Sequence, residues 1–198
     1  MPLIAKDSQK EFKPLDSGTH IARVCSIIHL GTRTENIKGV DVTRNRIYIT
    51  FEVPAKLKED GTPFTIGQEF TLSMNKQGNL LPFIESMLGR QMSKDETREF
   101  DVFTLIGKTA MLNVIHSAPN AEGNVYANIK SVSPLPEGMT CPEAIIEAFM
   151  FDYEDNFSVE YVAGLHEKSL IRKRIEVSEE WKAKGVTIDS ATGLEKFD

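Results

Sequence analysis

The sequence predicts a mainly β protein with a helical, acidic end. Five stretches before residue 137 either alternate apolar and polar residues or are rich in β-branched residues. Helical patterns occur only between the third and fourth of these stretches and again after residue 137. A chain of 198 residues is long enough for one domain with its own core and an appendage.

The predicted strands lie at residues 18–30, 46–53, 64–74, 111–116 and 125–132. The second strand shows the clearest alternation, since Ile47, Ile49 and Phe51 would share one face, opposite Arg46 and Tyr48. Between the last two strands, the sequence SAPNAEGN predicts a hairpin loop. Prolines at 134 and 136 then end the fifth strand.

A helix is predicted over residues 80–88, with Asn79 as its N-cap and Gly89 ending it. Its apolar residues Leu80, Ile84, Met87 and Leu88 fall on one face. Ser93 with Glu96 predicts the capping box of a second short helix. Three strands, a helix and two strands in this order are typical of the oligonucleotide/oligosaccharide-binding (OB) fold. We therefore predict a five-stranded OB-fold-like barrel.

Beyond Pro136 the pattern changes. Residues 142–150 and 158–175 predict helical or mixed segments, and residues 178–184 predict a last short helix ended by Gly185. The predicted organisation is an N-terminal arm at 1–17, the OB-like domain at 18–136, a helical appendage at 137–185 and a flexible acidic tail at 186–198.

Charge is divided unequally along the chain. Residues 1–136 contain 16 Lys+Arg and 15 Asp+Glu, whereas residues 137–198 contain 7 and 14, so the net charges are +1 and −7. A near-neutral β body with an acidic end is the layout of single-stranded DNA-binding proteins whose tail competes with nucleic acid. Ordinary proteins with a solvated terminal helix share this layout.

Several classes of protein are disfavoured by the composition. No apolar run of about 18 residues could span a bilayer, and the N-terminal sequence MPLIAKDSQKEFKP is too polar for a signal peptide, so we expect a cytoplasmic protein. Cys25 and Cys141 lack metal-ligand spacing and are expected to be free thiols. No histidine motif or nucleophile turn is present, and acidic pairs alone do not indicate catalysis. We expect no enzyme activity, metal site or cofactor.

Four stretches of the sequence resemble a family of bacteriophage single-stranded DNA-binding proteins from replication and recombination modules. They are GTHIARVCSIIHLGT, FTLSMNKQGNL, FDVFTLIGKTAMLNVIHSAPNAEGNVYANIKSVSPLPEGM and FDYEDNF, and the resemblance spans roughly residues 14–185. It implies an OB barrel, single-stranded DNA as partner, the cytoplasm of a bacterial host, and neither catalysis nor a cofactor. It supplies no list of DNA-contacting residues.

The contacts are therefore predicted from chemistry. Binding of single strands without sequence preference needs cations for the phosphates and flat rings on which bases stack. Cations lie on the predicted strands, in the loop of residues 33–45 between the first two strands, and beside other turns. The predicted nucleic-acid contacts are Arg33, Lys38, Arg44, Arg46, Tyr48, Lys76, Lys108, Tyr126 and Lys130.

Other interpretations of these residues remain open. Tyr48 and Tyr126 could instead cover a second core or pack under the C-terminal helices. Any single lysine or arginine could be a solvated surface charge, and the run of residues 171–174 favours a salt-bridged helix surface. Trp181 is expected to anchor the last helix to the body or to a partner.

The last residues suggest a partner-binding role. Phe197, next to the C-terminal Asp198, loosely resembles the acidic, phenylalanine-ended tails with which single-stranded DNA-binding proteins recruit phage or host replication proteins. A plain disordered terminus is the alternative. For the whole chain, the alternative to DNA binding is a protein-interaction or scaffolding module, because a pI of about 5.3 does not indicate nucleic acid.

Overall fold

The computed structural model describes residues 13–188 and the backbone of residues 195–197. It shows a mainly β protein with several short helices. The strands are β1 (Gly18–Ile37), β2 (Val40–Leu57), β3 (Pro63–Thr71), β4 (Thr109–His116), β5 (Ala127–Ser133), β6 (Phe149–Phe151), β7 (Val186–Ile188) and β8 (Glu195–Phe197). The helices are α1 (Leu80–Leu88), α2 (Lys94–Arg98), α3 (Val159–Gly164), α4 (Leu170–Glu176) and α5 (Glu179–Ala183), with a 3-10 turn at Val102–Leu105.

Six strands form one sheet. Five of them follow the order β3-β2-β1-β4-β5 with antiparallel neighbours. On the edge of β1 opposite β2, residues 18–23 pair with β4, and residues 26–28 pair in parallel with β6. We call residues 137–188 the C-terminal part of the chain. It therefore adds a sixth strand, β6, to the sheet. Within the described residues, β3 and β5 approach each other but do not pair, so strand pairing does not close the sheet.

The predicted helix between the third and fourth strands is confirmed. Helix α1 begins after Asn79 and ends at Gly89, whose φ of 68° is the left-handed conformation that favours glycine. The side chain of Asn79 makes no capping hydrogen bond. The capping box of α2 is also confirmed, since the Ser93 side chain accepts from Glu96 N and the Glu96 side chain accepts from Ser93 N.

Two hydrophobic clusters lie on opposite sides of the sheet. The first contains the inward residues of β1–β5 and the apolar face of α1. The second is built by the C-terminal part against Ile28 and Leu30 of β1. Its other buried members are Phe151, Tyr153, Val159, Val162, Ile175, Trp181 and Val186. Strand β1 is therefore covered on both faces, with Ile27 in the first cluster and Ile28 in the second.

The predicted loop at residues 33–45 is wrong, because these residues extend β1 and β2 as a two-stranded ribbon. We call residues 33–44 the β1–β2 ribbon. Polar cross-strand pairs hold it, with 2.7 Å between the hydroxyls of Thr34 and Thr43 and 2.7 Å from Asn36 Nδ2 to Asp41 Oδ1. Its turn is Lys38-Gly39, and both residues have positive φ (52° and 84°), as a type I′ hairpin requires.

The structure differs from two further predictions near the C-terminus. Residues 142–148 contain no helix, and the chain instead leads into β6. The tail predicted to be flexible from residue 186 begins with β7, which pairs with the backbone of β8. Val186 is buried in the second cluster. The helical predictions for residues 158–175 and 178–184 hold in part, as α3, α4 and α5 lie there, and Gly185 follows the last of them.

Candidate nucleic-acid interface

The outer face of β2 is covered by the C-terminal part of the chain. Tyr48 packs against the second cluster, and its ring lies so close to Gly67 of β3 that a Cβ there would clash with it. Burial raises the pKa of the Tyr48 phenol, and the charge of nearby Glu69 raises it further. Tyr48 thus occupies the position of the alternative interpretation, in which it covers a second core.

A buried carboxylate fastens the chain across this face. Glu52 on β2 has no exposed surface and lies 3.3 Å from Arg23 Nη1. Its Oε2 accepts hydrogen bonds from the backbone N–H groups of Ile145 (3.2 Å) and Ile146 (2.9 Å). Arg23 Nη2 also donates to the carbonyl of Pro142 at 2.6 Å. Residues 142–146 therefore form a strap across the sheet, held by one ion pair.

Two of the predicted phosphate contacts are engaged in ion pairs. Arg33 lies 2.7 Å from Glu35 and 2.6 Å from Glu69, and Arg46 contacts the same two carboxylates at 3.0 and 3.4 Å. Arg174, from helix α4, packs against the same carboxylates. No sequence pattern identified Glu35, Glu69 and Arg174 as partners, because they are brought together only by tertiary folding.

The run of residues 171–174 behaves as the salt-bridged alternative describes. Arg172 is buried and lies 2.7 Å from Glu176, one helical turn along α4. It also donates to the carbonyls of Ala163 and Leu165, which joins α4 to α3. The prediction that Trp181 anchors the last helix to the body is confirmed, since this side chain is buried in the second cluster.

On the β1–β2 ribbon, two of the predicted nucleic-acid contacts are not engaged in ion pairs within the described residues. Lys38 is exposed at its tip, and Arg44 is half-buried at its base, directly opposite Arg33. Within the part of the chain that the structure describes, Arg44 makes no ion pair or side-chain hydrogen bond. Lys76 lies exposed before α1, and Lys108 lies exposed before β4.

Strand β5 presents a second open surface. Ala127 and Ile129 pack against the first cluster, so Tyr126, Asn128 and Lys130 point outward and are exposed. Hydrogen bonds between Ser117 and Tyr126 close the loop before β5. Tyr126 and Tyr48 therefore do not share one open face, because Tyr126 is exposed whereas Tyr48 is half-buried against the second cluster. The side chain of Phe197 lies outside the described residues.

Comparisons with known proteins add no family to these observations. No protein-family model matches the chain, and no curated protein matches it. Among residues 13–188, no helix has both the length and the apolar composition needed to cross a membrane.

Proposed function

We propose that the protein binds single-stranded DNA without strong sequence preference. The observation that carries this proposal is the strand arrangement. The neighbours β1-β2, β2-β3, β1-β4 and β4-β5, with α1 between β3 and β4, are compatible with an OB-like arrangement and so support the proposal. The approach of β3 to β5 supports a barrel that is closed by side-chain packing. The resemblance to the phage family supports a role in phage DNA replication or recombination in the bacterial cytoplasm.

The C-terminal part of the chain limits where the DNA would lie, because it covers the outer face of β2. Burying one large apolar side chain contributes about 1.5–3 kcal/mol, and the C-terminal part buries its own Phe151, Val162, Ile175 and Trp181 in the second cluster against the sheet. Together they contribute on the order of 10 kcal/mol of burial energy, which opposes the conformational entropy lost when this segment is ordered. We therefore place the DNA site on surfaces that the C-terminal part leaves open.

Two open surfaces have the required chemistry. The β1–β2 ribbon supplies Lys38 and Arg44 for phosphates, and the outer face of β5 supplies Lys130 with the exposed ring of Tyr126. Stacking of one base on such a ring is worth about 1–3 kcal/mol. Arg33, Arg46 and Tyr48 are not part of this proposed surface, because they are paired or covered.

The ribbon's contribution can be tested by removing its two cations. In the double variant Lys38→Ala/Arg44→Ala, affinity for an unstructured thymidine oligonucleotide should fall. The slope of log K against log salt should flatten by about 0.7 for each phosphate that the variant no longer binds. Fluorescence anisotropy at several salt concentrations measures both quantities.

A matched control for this test is Lys58→Ala/Arg98→Ala. It removes the same charge from exposed positions at the β2–β3 turn and on α2. It should leave both the affinity and the slope close to those of the unchanged protein. Equal losses of affinity in the two double variants would show that the ribbon is not a specific phosphate-binding element.

One observation favours a second candidate, a protein-interaction module. The face of β1 and β2 that carries Arg46 and Tyr48 is filled by the protein's own C-terminal part, and the ribbon tip exposes Ile37 and Val40. An apolar tip suits a protein partner better than a phosphate backbone. This alternative predicts no salt-dependent binding of oligonucleotides.

A further inference from the structure

Five charged side chains meet where the β1–β2 ribbon joins the sheet. We call Arg33, Arg46, Arg174, Glu35 and Glu69 the arginine cluster. Each guanidinium contacts both carboxylates, at distances from 2.6 to 3.7 Å. Three positive charges therefore share two negative charges. Among the described ion pairs of the cluster, one positive charge is therefore uncompensated.

The cluster also contains hydrogen-bond donors without acceptors. Arg33 Nη1, Arg46 Nε and Arg174 Nε are buried, and no atom of the described residues accepts a hydrogen bond from them. Arg174 Nε lies 3.7 Å from Glu69 Oε2, which is an ion-pair contact but too long for a hydrogen bond. The side chain of Arg33 is only 7% exposed. Because buried donors are normally paired, these three indicate that a further acceptor belongs to the cluster.

The charges around the cluster favour an anion as that acceptor. Arg44 lies directly across the ribbon from Arg33, so it projects from the same face and adds positive charge. The hydrogen bond from Arg33 holds the pKa of Glu35 below its usual value, so this carboxylate is already ionised at neutral pH. The side chains of Arg174 and Glu35 remain 35% and 27% exposed, which leaves the cluster open to solvent beside α4.

We propose that the arginine cluster is a binding site for a tetrahedral oxyanion of the phosphate class. The three unpartnered N–H groups belong to guanidiniums that all contact the same two carboxylates. A phosphate group offers several acceptor oxygens and negative charge, and guanidinium groups match its geometry. The oxyanion would be either free phosphate or a phosphate of a nucleic acid. The site adjoins the ribbon surface proposed for DNA above, because Arg44 lies beside both, but its three guanidiniums are not part of that surface.

Thermal unfolding in inorganic phosphate tests the site without any DNA. The melting temperature in sodium phosphate should exceed that in sodium chloride of equal ionic strength. Above the dissociation constant it should rise by about 3–6 °C for each tenfold increase in phosphate. The variant Arg174→Gln leaves two guanidiniums for two carboxylates, so this phosphate-specific rise should disappear. Lys173→Gln, which makes the same charge change on an exposed neighbour, should keep it.

A second variant changes the charge in the opposite sense. Glu69→Gln removes a negative charge, so its phosphate-specific rise should be larger than that of the unchanged protein. Comparing Glu69→Gln with the unchanged protein also tests the site if Arg174→Gln fails to fold. The proposal is overturned if phosphate has no effect beyond that of chloride, if Arg174→Gln keeps the full rise, or if the rise is not larger in Glu69→Gln.

Oligonucleotide binding then distinguishes the two sources of phosphate. If the site takes a DNA phosphate, inorganic phosphate should compete with a thymidine oligonucleotide, and Arg174→Gln should weaken its binding several-fold. If the site takes free phosphate, the oligonucleotide affinity should be the same in Arg174→Gln and Lys173→Gln. Either outcome identifies the source of the phosphate only if the phosphate-specific rise in melting temperature is also observed. Oligonucleotide binding without that rise would refute the oxyanion site and leave the proposed DNA-binding function standing.

Discussion

Replacing Trp181 with alanine should lower the free energy of unfolding by about 3–5 kcal/mol. Trp181 is 3% exposed, and its ring centroid lies 5.8 Å from that of Phe157. It belongs to the cluster that covers Ile28 and Leu30 of β1, so the substitution leaves a cavity between the C-terminal part and the sheet. Urea denaturation followed by circular dichroism gives the change in free energy.

The control for this substitution is Lys182→Ala, at the next residue of α5, whose side chain is exposed. It should change the free energy of unfolding by less than about 0.5 kcal/mol. If Trp181→Ala were as mild as this control, the C-terminal part would not be an integral layer of the fold. The cover could then open, and the face of β2 beneath it would become available to a ligand.

The second large effect is expected for Glu52→Ala. This substitution leaves the guanidinium of Arg23 and two backbone N–H groups of the strap without their common acceptor. Breaking a buried ion pair by removing one partner costs about 3–5 kcal/mol. The same urea denaturation measures the decrease in stability. Glu59→Ala, which removes an exposed carboxylate after the end of β2, should have almost no effect.

A decrease no larger than that of Glu59→Ala would contradict the strap described for residues 142–146. Hydrogen exchange provides a separate measurement of the same interaction. The amides of Ile145 and Ile146 donate to Glu52, so their protection should decrease in Glu52→Ala.

Local periodicity predicted the elements that bury one face. Ile47, Ile49 and Phe51 alternate along β2 and are buried, and α1 buries one apolar stripe. The β1–β2 ribbon was missed because it is a polar hairpin, so its residues show no apolar alternation. Its turn is Lys-Gly rather than the Asn-Gly or Asp-Gly that marks most such hairpins. The strand character of β1 was predicted, but its burial between two cores depends on the distant C-terminal part.

The candidate site could be predicted only in part. Residue type identified Lys38, Arg44, Tyr126 and Lys130, which the structure leaves on its surface. The same reasoning selected Arg46 and Tyr48, although the C-terminal part covers their face of β2. Alternation shows which side chains share a face of a strand, but it does not show what packs on that face.

Truncation is not a suitable test of whether the acidic tail at residues 186–198 competes with DNA. Val186 belongs to the buried second cluster, and β7 pairs with β8, so deleting residues 186–198 removes part of the fold. If the acidic tail competes with DNA, its removal should raise DNA affinity, but this deletion would combine electrostatic and structural effects. Neutralising Asp189 and Glu195 to amides changes the charge and keeps the chain intact.

The most direct test of the proposed function is a titration of the unchanged protein with an unstructured thymidine oligonucleotide, measured by fluorescence anisotropy at about 50 mM and about 200 mM salt. We expect saturable binding at the lower concentration. Each phosphate contact should contribute about −0.7 to the slope of log K against log salt. Absence of binding at the lower concentration, or an affinity that does not change with salt, would contradict the proposal and favour the protein-interaction module.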